Sequence, residues 1–64
     1  MAGEKYVKRV AQSVCEIAQA ELGARPPLTR VLAIVREHLA DDGRPGKREE
    51  FAAWLFERER EALR

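Results

Sequence analysis

Two clusters of helix breakers cut this chain into three segments: Gly23 with Pro26-Pro27, and Asp41-Asp42-Gly43 with Arg44-Pro45-Gly46. Proline lacks the amide proton that an interior helical turn needs, and it disfavours helical backbone in the residue before it. Glycine readily takes the left-handed conformation that ends a helix. Between the breakers the apolar residues recur with the helical period, and no strand-like alternation is present. The pattern predicts an all-α fold, a small three-helix domain spanning residues 1–64, with helices over about 4–22, 27–40 and 47–63.

The first segment has the cleanest pattern. Val7, Val10, Val14, Ile17 and Ala18 follow the i, i+3, i+4, i+7 spacing, and Tyr6, Ala11, Cys15 and Leu22 widen that face. Lys5, Lys8, Arg9, Gln12, Glu16 and Gln19 fill the other half. Gly23 stands where a left-handed C-cap belongs. In the second segment Leu28, Val31, Leu32, Val35 and Leu39 form one stripe with Ile34 at its edge. Pro27 suits a first helical turn, with Thr29 the competing N-cap. In the third, Glu49 and Glu50 complement the positive end of the helix dipole.

A chain of 64 residues has room for one core, and a core of that size rarely supplies more than about 3–5 kcal/mol. Small folds therefore add a disulfide, a metal or a partner. The single cysteine, Cys15, excludes an internal disulfide, and Cys15 with the single histidine, His38, gives no zinc-ligand spacing. Association is the remaining means of support. Composition is 45% apolar and 36% charged with a net charge of +1, too apolar for disorder and too balanced for a tail acting by bulk charge. No apolar run approaches the roughly 18 residues of a membrane span. The start, Met1-Ala2-Gly3-Glu4-Lys5, has no apolar signal core. The expected location is cytoplasmic, and no membrane partner is expected. Nine arginines against three lysines, with no asparagine, suggest a GC-rich bacterial or phage genome.

No catalytic group, cofactor site or metal site is expected. A Cys15–His38 nucleophile pair requires a base oriented by a third group, yet Cys15 falls on the apolar side of its helix, where cysteine acts as a small hydrophobe. His38 also falls on an apolar side and reads as a core-edge residue; metal binding with Asp41 or Asp42 and pH sensing are the other readings. The carboxylates sit at helix ends or interleave with arginines, and acid–base work needs a sheltered pocket. The chain reads as a non-enzyme.

Lys5, Lys8, Arg9, Arg44, Lys47 and Arg48 are the candidates for nucleic-acid contact, giving an alternative reading as a small transcriptional regulator. Against a helix-turn-helix stand the long Asp41–Lys47 connection and Glu49-Glu50, which would repel phosphate at the start of a reading helix.

The closing segment, Phe51-Ala52-Ala53-Trp54-Leu55-Phe56, holds three of the four aromatic residues. On a helical wheel Phe51 and Leu55 share a face flanked by Trp54, whereas Phe56 and Leu63 lie roughly 140° and 120° away. The expectation is that Phe51, Trp54 and Leu55 close the core. Ala52, Phe56 and Leu63, interrupted by Glu59, then form a second strip facing a protein partner or another copy of the chain. The expected function is a protein–protein interaction module or regulator that self-associates through helix 3, with the exposed edge of helix 1 as a second contact.

Overall fold

A computed structural model describes residues 3–42 and 47–64. It contains three helices, α1 (Glu4–Leu22), α2 (Leu28–Asp42) and α3 (Arg48–Arg58), so the fold is the all-α three-helix domain that the breakers and periodicity predict. Gly43, Arg44, Pro45 and Gly46, including the expected turn, lie outside the described residues.

α1 ends where its sequence says it should. Gly23 takes φ 79° and donates its N–H to the Gln19 carbonyl, a conformation in which any side chain would be strained. The chain then crosses to α2 through the diproline. Val31 donates to the Pro27 carbonyl at 3.2 Å, which places Pro27 just before the first helical residue and Thr29 inside the first turn. α2 runs on to Asp42, two residues beyond the expected end.

α1 is the shared wall. It packs against both α2 and α3, while among the described residues the backbones of α2 and α3 approach each other only marginally. Its inward face is built of small side chains, Val7, Val10, Ala11, Val14, Cys15 and Ala18, all buried, which lets both neighbours come close. Val31 and Val35 enter from α2, and Phe51, Ala52, Leu55 and Phe56 from α3. Cross-links fix the directions. Arg36 pairs with Glu4, Arg30 reaches the Ala62 carbonyl at 3.1 Å, and Arg60 meets Glu21 at 3.6 Å. α2 is thus antiparallel to α1 and α3, giving an up-down-up arrangement.

α3 differs from expectation in both its length and its facing. The helix stops at Arg58, and Glu59 adopts φ −106° and ψ 21°. A separate last turn follows, with Leu63 donating to the Glu59 and Arg60 carbonyls at 3.0 and 3.2 Å. The buried residues of α3 cover an arc of roughly 140° running from Phe51 through Leu55 and Ala52 to Phe56. The wheel centre expected from Phe51, Trp54 and Leu55 is therefore off by roughly 80°.

Candidate functional site

That roll overturns the expected partner strip. Ala52, Phe56 and Leu63 are 0%, 1% and 3% exposed, and all three belong to the chain's own core. The strip is real as a stripe of apolar residues, but it meets α1 rather than another molecule. The physical reason lies in α1: its face of valines and alanines leaves room for the Phe56 ring, while an indole, which carries a polar N–H, is at home in the half-exposed position that Trp54 holds. Arg60 lies over the Phe56 ring at 5.1 Å and closes that end.

Trp54 takes the opposite role to the one expected. It is 44% exposed on the outer side of α3. Its ring stacks on Phe51 at 6.0 Å, meets the edge of His38 at 5.5 Å, and carries the Arg58 guanidinium at 5.4 Å. A tryptophan held by three neighbours and still nearly half exposed is a braced anchor. Large aromatics with an arginine beside them are the residue types that carry most binding energy at protein interfaces.

Glu59 is the one member of the expected strip that has a polar partner. Its Oε2 lies 2.8 Å from Nε2 of His38, with the two side chains 27% and 13% exposed. Twenty-one residues separate them in sequence, so this bond joins α2 to the end of α3, two elements whose backbones approach only marginally. His38 is accordingly a core-edge residue that bridges helices. Cys15 is engaged elsewhere: its thiol, 1% exposed, faces the Pro26 carbonyl at 3.8 Å. Burial pushes the thiol pKa up, partly offset by Arg25, with Glu16 adding to the rise. A raised pKa disfavours the thiolate that a nucleophile or metal ligand requires. Among the described residues no three His, Cys, Asp or Glu side chains gather in a way that could hold a metal ion. No described helix is long and apolar enough to cross a membrane.

The expected nucleic-acid residues divide into two groups. Lys5, Lys8 and Arg9 are exposed on α1, and Lys47 is exposed at the N-cap of α3. Arg48 lies 3.5 Å from Glu49 and close enough to Tyr6 to act on its hydroxyl; Arg44 is outside the described residues. The remaining arginines largely serve the fold. Arg25 bonds Gln19, Arg30 the Ala62 carbonyl, Arg36 Glu4, and Arg60 both Glu21 and Glu57. A shallow open groove lined by Glu21, Leu22, Ala24, Arg60, Leu63 and Arg64 has its charges already paired. Comparison with protein families, with curated proteins and with solved structures finds no match for the chain.

Sequence reasoning took Ala52, Phe56 and Leu63 for the outward residues of helix 3 and Trp54 for a core residue, and the burial is the reverse. One signal pointed to Trp54: Glu50, Ala53, Trp54 and Glu57 follow the i, i+3, i+4, i+7 spacing of a single face. Two glutamates on that face mark it as outward.

Proposed function

We propose that this protein is a non-enzymatic protein–protein interaction module that self-associates through the outer face of α3. The observation that supports this reading is Trp54, 44% exposed in a chain that buries Phe56 to 1%. An exposed tryptophan braced by Phe51, His38 and Arg58 loses little side-chain freedom on binding, so its burial contributes to affinity with a small entropic penalty. The size of the domain adds support, since a core this small gains from a partner. The interface residues are Trp54, Ala53, Glu50 and Arg58, in place of Ala52, Phe56 and Leu63.

Molar mass in solution across a concentration series tests it, at low and at high salt. The expected result is a rise above 7.3 kDa with concentration, lost in Trp54→Ala. A wild-type chain that stays monomeric throughout overturns self-association. If that monomer binds duplex or single-stranded nucleic acid with a steep salt dependence, the contact falls instead to Lys5, Lys8, Arg9 and Lys47.

A further inference from the structure

Five exposed positions run along the outer side of α3 and its extension: Lys47, Glu50, Trp54, Arg58 and Glu61. Their spacing is three, four, four and three, symmetric about Trp54. Lys47, Glu50, Trp54 and Arg58 fall within an arc of roughly 80°. The charges change sign on reflection through the centre. Positions four residues before and after Trp54 are Glu50 and Arg58; positions seven before and after are Lys47 and Glu61.

Resting on the reading of α3 as a self-association face, we infer that the partner is a second copy bound antiparallel about a two-fold axis through Trp54. In that register each Glu50 faces the partner's Arg58, each Lys47 faces the partner's Glu61, and the two indoles meet at the centre. A parallel pairing in the same register sets Glu50 on Glu50 and Arg58 on Arg58, which repel. Self-complementary placement of one patch on itself is what a two-fold interface requires. The inner pair dominates, because Glu61 lies beyond the helix and already meets Arg64 at 3.9 Å. An 11-residue helix is only about 16 Å long. It offers less than the roughly 800 Å² per partner of a standard interface, so association is weak and concentrations into the high micromolar range are needed.

The test exploits the reflected charges. Glu50→Arg and Arg58→Glu are made separately, checked for helical content, and measured by molar mass and by the emission of Trp54, the chain's single tryptophan. Each alone sets like charges together at both inner contacts and should weaken self-association about tenfold or more at low salt. Mixed in equal amounts, the two variants are complementary and should associate at near the wild-type strength, with the blue-shifted emission of a buried indole. The double variant should also self-associate like the wild type. If Arg58→Glu fails to fold, Lys47→Glu mixed with Glu61→Lys reads the same register through the outer pairs. A mixture no stronger than its components overturns the antiparallel register. If Trp54→Ala still abolishes association in that case, the face stands and only the geometry falls; a monomeric wild type removes both.

Discussion

Phe56 on the inner side of α3 and Trp54 on the outer side have opposite fates. Phe56 is closed in by α1 and by Arg60, whereas Trp54, two residues earlier, leaves nearly half its surface in water. Apolar content alone does not separate them, since tryptophan is the larger ring. The difference lies in what each side chain requires. A phenyl ring needs only shape and exclusion of water, which the valine and alanine face of α1 supplies. An indole has a polar N–H, and it tolerates the half-wet position in which Phe51, His38 and Arg58 hold it. For a small domain, burial therefore follows the fit to the neighbour more closely than residue hydrophobicity.

The hardest way to break this comparison is Phe56→Ala. Removing a fully buried phenyl ring typically costs about 3–5 kcal/mol, which approaches the whole stability of a fold this size. Urea titration followed by helical circular dichroism should find the variant largely unfolded. Trp54→Ala should cost less, about 1–2 kcal/mol, reflecting the lost stacking on Phe51 and His38. If the two variants rank in the reverse order, α3 is rolled the other way.

The wall behind the inner face can be probed by pH. The folded-state pKa of Cys15 lies above its ordinary value of 9.0 because burial disfavours the thiolate. The neutral thiol is the form the fold accepts, so its contribution is complete below pH 9.0 and is lost as pH rises through the raised value. Denaturation midpoints should hold steady up to that region and fall above it, and Cys15→Ala should flatten the fall. Tyr6 also rises, from 10.0, chiefly through desolvation, against a smaller lowering by Arg48. It therefore steepens the same alkaline limb. The smallest effect concerns the Tyr6 hydroxyl, which is buried with no hydrogen-bond partner among the described residues. Tyr6→Phe should leave stability unchanged or raise it by about 0.5–1 kcal/mol, since an unpaired polar group is removed. A clear loss would reveal a partner for that oxygen and tighten the docking of α3's first turn.

How much of this was readable in the residues varies along the chain. α1 was legible nearly residue by residue. Nineteen positions divide into one apolar and one polar half, so only one wheel orientation fits, and Gly23 marks the end. α3 was not. Its 11 residues carry two overlapping apolar arcs that share Phe51 and Leu55, and Trp54 or Phe56 completes one or the other. Locally only Glu50 and Glu57 beside Trp54 tip the balance; the small side chains of α1, distant in sequence, decide. The stop at Arg58 was equally hidden. No glycine or proline signals it, and Glu59 leaves helical backbone beside a His38 whose proximity no local spacing reveals. The candidate strip inherited that ambiguity, so residues expected to face outward, Ala52, Phe56 and Leu63, are buried.

The interruption at Glu59 has a consequence for motion. Segments tied by few hydrogen bonds and few buried contacts exchange their amide protons through local rather than global unfolding. Residues 60–64 hang from the short set of bonds that Leu63 and Arg64 make, secured by the Leu63 side chain and by Arg30 on the Ala62 carbonyl. Their amides should exchange well before those of α1, and each excursion would uncover the Phe56 ring. Opening of this last turn would thus expose the largest fully buried side chain of the core.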